Sequence, residues 1–146
     1  MLLLGVGGLR WGEAAALRVG DVDFLRRRVG LHRNAVEVNG TFAVGSLKSN
    51  KNRTLALPAF VVDAIAETAR GKGRDELLWA SRSGGYLAAP KPRSWLGGAV
   101  TRCQEADPTF RRVTAHDLQH TAASLQISAG LIRRWCNGCW GMRPRR

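Results

Sequence analysis

The segment 114–125, which reads TAHDLQHTAASL, contains the residues whose types and spacing could form a reactive site. His116, Gln119 and His120 recur at intervals of three and four, so a helix would place them on one side. Imidazoles transfer protons near neutral pH, and the free backbone N–H groups of a first helical turn bind anions. The segment therefore predicts an anion site. A buried amphipathic helix whose histidines only pack or hydrogen-bond is also consistent with these residues.

The same segment has the signals of a helix start. Thr114 can cap the first turn, and Asp117 three residues later completes a reciprocal capping box. Gly130 is a natural terminator. The apolar stripe expected along this helix consists of Leu118, Ala122, Leu125 and Ala129.

Composition predicts one soluble domain with a polyanionic partner. The 146 residues include 23 Lys and Arg against 11 Asp and Glu, which gives a formal net charge of +12. Such an excess favours nucleic acid as the partner. The apolar run 2–6 is too short to cross a bilayer and no basic segment precedes it, so we expect a cytoplasmic protein with no membrane contact. Three cysteines do not form a disulfide framework.

An alanine-rich segment, 8–23, predicts a helix that ends near Gly20. Arg10 lies at the start of this helix, and Glu13 three residues later can hold its guanidinium in place. On its own, an arginine here is most simply a solvated surface charge. The helix therefore presents a cation whose function depends on what lies beside it.

Strand-like patterns follow between residues 28 and 57. Residues 36–38 and 41–44 flank Asn39-Gly40, a strong hairpin signal. A second reversal at 49–52 leads into 53–57, and together the three runs predict a small antiparallel sheet of three strands. Lys48 lies at the mouth of the second hairpin, where a lysine is normally an edge charge.

Two further helices are predicted. The first opens at Pro58 and ends at Gly71, and the second runs from about 94 to 105. The residues expected on the buried side of the first are Val61, Val62, Ile65, Ala66 and Ala69. We assign residues 1–130 to one domain and 131–146 to a divergent basic tail.

Three segments together resemble the tyrosine recombinases, the phage integrase family. They are Gly-Leu-Arg-x-Gly-Glu from Gly8, Gly-Ser-Leu-Lys-Ser from Gly45, and His-Asp-Leu-x-His-Thr from His116. They occur in the order typical of the family, and the resemblance covers roughly residues 2–130. It implies an α+β fold, a mostly helical catalytic domain with a small three-stranded antiparallel sheet.

The resemblance also implies a chemistry. Family members attack a DNA phosphate with a tyrosine hydroxyl, form a phosphotyrosyl link without a cofactor or metal, and assemble as tetramers on duplex DNA. Arg10 matches a guanidinium that clamps the phosphate, Lys48 the general acid, and His116 the histidine of the box. Glu13 would support Arg10.

This sequence departs from the family pattern at positions that matter for catalysis. Gln119 occupies the position of the second clamping arginine, and Met142 falls near that of a later histidine. The only tyrosine, Tyr86, precedes the box, whereas the family nucleophile follows it. We predict a degenerate recombinase that binds DNA without cleaving it. A non-catalytic accessory DNA-binding protein is the alternative reading.

The tail 131–146 differs in composition from the rest of the chain. It contains five arginines and no acidic residue, so the rest of the chain keeps a charge of +7. Its abrupt enrichment in Trp, Cys, Gly and Arg is what a GC-rich gene yields when read out of frame. A truncated or frameshifted integrase gene is the hypothesis that this composition supports.

Two alternatives come from other classes of protein. Cys136 and Cys139 have zinc-ligand spacing, and together with His116 and His120 they could stabilise a zinc-binding protein. A basic RNA-binding protein would explain the charge but none of the three segments.

Overall fold

A computed structural model describes residues 1–46 and 52–129 of the chain. None of the helices in these ranges is long and apolar enough to span a bilayer. In chain order the elements are α1 (Leu2–Gly5), α2 (Trp11–Ala15), a 3-10 helix (Val19–Asp21), β1 (Val22–Asp23), β2 (Arg28–Leu31), β3 (Arg33–Val38), β4 (Thr41–Ser46), β5 (Arg53–Ala56), α3 (Ala59–Ala69), α4 (Trp95–Ala106) and α5 (Ala115–Ser128).

The predicted α+β class is confirmed, but the strands pair differently from the prediction. β3 and β4 form a two-stranded hairpin, whose Asn39 and Gly40 have φ angles of 50° and 79°. β5 pairs with β2 and not with this hairpin, so the three-stranded antiparallel sheet has the order β1-β2-β5. The reason is burial: Leu55 lies opposite Val29, and both belong to the hydrophobic core, whereas the hairpin is largely exposed.

The core lies between this sheet and the helices α1, α2 and α3. On α3, Val61, Val62 and Ile65 are buried as predicted, but Ala66 is exposed because it lies beyond the edge of the apolar stripe. Ala69 is partly buried against the core. The buried members of the core are Leu3, Leu4, Leu9, Ala14, Leu17, Val22, Val29, Leu31, Leu55, Leu57, Val61, Val62, Ile65 and Leu78.

The helix that carries Glu13 is shorter than predicted. α2 ends at Ala15, and Gly20 belongs to the following 3-10 helix. The backbone leaves the helix because it pairs with a later segment: the N–H of Leu78 donates to the carbonyl of Leu17 at 2.9 Å. The N–H of Gly20 likewise donates to the carbonyl of Arg74 at 2.8 Å. These tertiary hydrogen bonds replace the helical ones that the alanine run favours.

Helix α5 packs against α1 through its first turns. Leu118 and Ala115 contact the core, and a Cβ added to Gly5 would lie 3.7 Å from Leu118 Cδ2. The predicted apolar stripe ends at Ala122, since Leu125 is 53% exposed and Ala129 is exposed. α1 has only four residues and is about 6 Å long, so it covers only part of α5. The terminator predicted at Gly130 lies outside the described residues.

Candidate functional site

The start of α5 is fixed by the predicted capping box. Thr114 Oγ1 accepts from the N–H of Asp117 at 3.3 Å, and Asp117 Oδ2 accepts from the Thr114 N–H at 2.8 Å. The Thr114 hydroxyl also donates to Asp117 Oδ2 at 2.7 Å. The hydroxyl bond first, and the backbone bond next, hold the pKa of Asp117 below its ordinary range. The capping box therefore fixes the backbone on which the histidines stand.

The two histidines of the box lie side by side and are exposed. The Nε2 atoms of His116 and His120 are 3.1 Å apart, and the rings meet edge to face with centroids 4.5 Å apart. Gln119 does not share their surface, because it lies on the side of α5 that packs inward and is only 7% exposed. The prediction that the three residues share one open face is therefore wrong for Gln119.

Arg10 lies at the start of α2 with its side chain half exposed. Glu13 Oε2 accepts the backbone N–H of Arg10 at 2.8 Å and thereby closes the first turn. The guanidinium Nη1 is 3.9 Å from Glu13 Oε1, and the Arg10 side chain is 52% exposed. Glu13 supports Arg10 as predicted, mainly through the backbone, and leaves the charge of Arg10 open to solvent.

Sequence reasoning missed the main partner of Glu13. Arg53 Nη2 lies 2.7 Å from Glu13 Oε2, and the two side chains are 24% and 2% exposed. This ion pair ties α2 to β5 immediately after residues 47–51. A glutamate in an apolar, alanine-rich helix was a signal for a buried cation partner, but its spacing from Arg53 could not identify that partner.

Close packing explains Gly12, the second glycine of the Gly-Leu-Arg-x-Gly-Glu segment. A Cβ added to Gly12 would lie 2.6 Å from the carbonyl oxygen of Ala35 and 2.2 Å from Asn34 Oδ1. α2 therefore lies directly on β3, and only glycine permits that approach. Arg33, at the start of the same strand, is paired in turn with Asp21 at 2.6 Å.

Arg10 and the histidine box lie at the starts of two helices that share α1 as a neighbour. α1 packs on both α2 and α5, and it therefore links Arg10 to the histidine box. Within residues 1–46 and 52–129, no hydrogen bond or ion pair joins Arg10 to His116 or Gln119. Lys48, the predicted general acid, lies outside the described residues. The catalytic assignments stay predictions.

Tyr86 has a packing contact in the loop before α4. Its ring centroid lies 5.7 Å from that of Phe42 on β4, at an interplanar angle of 44°. This contact explains the position of the aromatic ring without a chemical role.

An apolar cavity of about 370 Å³ lies near α1, α2 and α3. Its walls include Trp11, Trp79 and Trp95 together with aliphatic side chains. The lining is mostly apolar and includes no Lys or Arg side chain, so we do not include the cavity in the candidate site.

Comparison with known proteins identifies the class of fold and then the family. Among solved structures, the Tn1549 transposon integrase in complex with a circular intermediate DNA superposes with a TM-score of 0.75 at 20% identity, covering 88% of this chain and 45% of that chain. The same integrase in complex with transposon right end DNA gives 0.73 at 20% identity, with 88% and 45% covered. XerA recombinase gives 0.59 at 20% identity, with 88% and 42% covered. The chain thus shares its fold with part of these integrase and recombinase structures.

The family assignment comes from the sequence itself. The profile of the phage integrase family matches residues 1–133, and the chain belongs to that family. No curated protein matches the chain significantly. The chain spans less than half the length of the integrase and recombinase structures that it matches.

Proposed function

We propose that this chain binds duplex DNA through the surface formed by Arg10 and the start of α5, and that it does not cleave the DNA it binds. The observation that carries the proposal is the geometry of Arg10. A buried carboxylate fixes its backbone, while its side chain stays half exposed on the segment that resembles the family's first arginine segment. A guanidinium held in this way can give a phosphate two parallel N–H donors.

The charges of the described residues support a polyanionic partner. Several exposed basic side chains have no ion pair within 1–46 and 52–129, so their charge is available to phosphates. Arg111 and Arg112 lie three and two residues before Thr114, the capping residue of α5. The others are Arg27, Arg28, Arg74, Arg82, Lys91, Arg93 and Arg102.

The proposed roles follow the family chemistry. In the chemistry that the family resemblance implies, Arg10 would contact a non-bridging phosphate oxygen, Lys48 would protonate a departing oxygen, and His116 would handle the proton of the nucleophile. For this chain we propose the phosphate contact and not the cleavage steps. His116 is exposed near the free N–H groups of the first turn of α5, which is where an anion is stabilised. The Tn1549 integrase structures contain DNA, which makes duplex DNA the natural ligand to test. The cytoplasm is the proposed location.

Cleavage is not expected of this chain because two requirements of the reaction are unmet. Gln119 offers a neutral amide where a guanidinium would stabilise the extra charge of the transition state. Losing one such donor costs about 10²–10³ in rate. The single tyrosine, Tyr86, precedes the box and packs against Phe42.

The binding half of the proposal can be tested with a fluorescently labelled duplex of arbitrary sequence. Its affinity for the chain, measured by anisotropy across a series of salt concentrations, should fall steeply as salt rises. Arg10→Ala should weaken binding and reduce the slope of log K against log salt by about 1. Arg70→Ala is the matched control. It also removes one positive charge, but from an arginine that is paired with Glu67 on α3 at 2.7 Å.

The control decides between a site and a diffuse charge. If Arg70→Ala reduces affinity as much as Arg10→Ala does, the charge of the whole chain and not the Arg10 surface binds DNA. Affinity that does not change with salt would exclude phosphate contacts altogether.

A further inference from the structure

We propose that His116 and His120 together chelate one divalent transition-metal ion of the zinc, nickel or copper class on the exposed surface of α5. This inference does not depend on DNA binding. It rests on the distance between two nitrogen atoms and on what holds them there.

The distance between the two nitrogens suits a shared metal. Metal–imidazole bonds are about 2.0–2.1 Å long, so nitrogens 3.1 Å apart would subtend about 98° at a metal between them. That angle lies between the values for octahedral and tetrahedral coordination. The two Nε2 atoms lie at hydrogen-bond distance, and coordination by both rings requires that neither Nε2 carries a proton.

His116 and His120 are also preorganised to bind a metal ion. Both rings stand on the first turns of a helix whose start is fixed by the Thr114–Asp117 capping box, and they already touch edge to face. Little side-chain freedom remains to be lost when a metal binds, which favours affinity. Both residues are exposed, so a hydrated ion reaches them without rearrangement of the core.

The site would be open. Within residues 1–46 and 52–129, no cluster of three or more His, Cys, Asp or Glu side chains could enclose a metal. Asp117 lies between the two histidines in sequence, but its carboxylate accepts the bonds of Thr114. Among the described residues, two imidazoles are therefore placed to hold the ion, with water in other coordination positions. Imidazole ligands of this kind favour copper, nickel and zinc over magnesium or calcium.

Calorimetric titration with nickel chloride, in a buffer that does not bind metals, tests the proposal on the whole 146-residue chain. We expect one ion per chain. His116→Gln and His120→Gln should each weaken binding by roughly tenfold or more, because either change leaves a single ligand. Circular dichroism checks that both variants keep the thermal unfolding profile of the parent.

Two controls separate this site from others in the chain. His32→Gln removes the remaining histidine, which is exposed beyond β2, and should leave the affinity unchanged. The double change Cys136→Ser and Cys139→Ser should also leave it unchanged. The proposal is overturned if no ion binds, if the His116 or His120 variant binds as the parent does, or if the affinity is lost in either control.

Discussion

Replacing Arg53 by methionine should destabilise the protein far more than removing a surface arginine. The change keeps much of the length of the side chain but deletes the guanidinium that lies 2.7 Å from Glu13 Oε2. The buried carboxylate of Glu13, a residue of α2, then keeps the hydrogen bond from the Arg10 backbone N–H and the Arg10 guanidinium 3.9 Å away. Its burial is no longer compensated by a close charge.

The magnitude follows from burial. Breaking a buried ion pair by removing one partner costs about 3–5 kcal/mol. Because Arg53 is about a quarter exposed, we expect a smaller loss in the free energy of unfolding, about 2–4 kcal/mol. Arg70→Met breaks the pair with Glu67, whose side chains are both mostly exposed, and should cost about 0–1 kcal/mol.

Urea unfolding followed by circular dichroism measures both variants. A second change, Glu13→Gln in the Arg53→Met background, should recover part of the lost stability, since a neutral amide costs less to bury than a carboxylate. If Arg53→Met is no more destabilising than Arg70→Met, the Glu13–Arg53 pair does not hold α2 to β5. If the Glu13→Gln change recovers nothing, the loss does not come from an uncompensated carboxylate.

Three more predictions follow from the same region. Gly12→Ala should lower the free energy of unfolding by roughly 1–3 kcal/mol in urea titrations, because its Cβ meets the Ala35 carbonyl oxygen at 2.6 Å. Gly98→Ala in α4 is the control: its Cβ meets only Arg102 Nη1 at 3.7 Å, so it should stabilise by roughly 0.5–1 kcal/mol. Thr114→Ala removes the cap of α5 and should cost about 1 kcal/mol in the same measurement, and an unchanged stability would mean that the cap does not hold the helix start. Gln119→Arg introduces a charge on the inward side of α5, where Gln119 is 7% exposed, so it should lower the free energy of unfolding by roughly 1–3 kcal/mol in urea titrations and leave duplex affinity unchanged in anisotropy titrations; tighter binding would mean that position 119 faces the phosphate.

The features predicted from the sequence are those that short segments determine. The capping box at Thr114 and Asp117 and the turn at Asn39-Gly40 depend on residues within four positions of each other, and both are present. Pro58 likewise directly precedes α3, as its fixed φ and missing N–H favour.

The features that were missed depend on tertiary contacts. The pairing of β5 with β2 and the ion pair from Arg53 to Glu13 join residues far apart in sequence, and no local pattern specifies such partners. The burial of Gln119 depends on how α5 turns against α1, because its position at the edge of the apolar stripe is compatible with either side. The resemblance to the recombinases predicted the fold, which periodicity alone could not do.

One mixture tests the central claim that this chain binds DNA and does not cut it. The chain is incubated with a pool of nicked duplexes of randomised sequence. When the nicked strand is cleaved, a short fragment is released and the strand cannot be rejoined. Any covalent protein–DNA intermediate is therefore trapped. The sample is divided between a native gel and a denaturing gel. We predict a retarded protein–DNA band on the native gel and only free DNA on the denaturing gel. The absence of a retarded band, or a covalent adduct that disappears with Tyr86→Phe, would contradict the account.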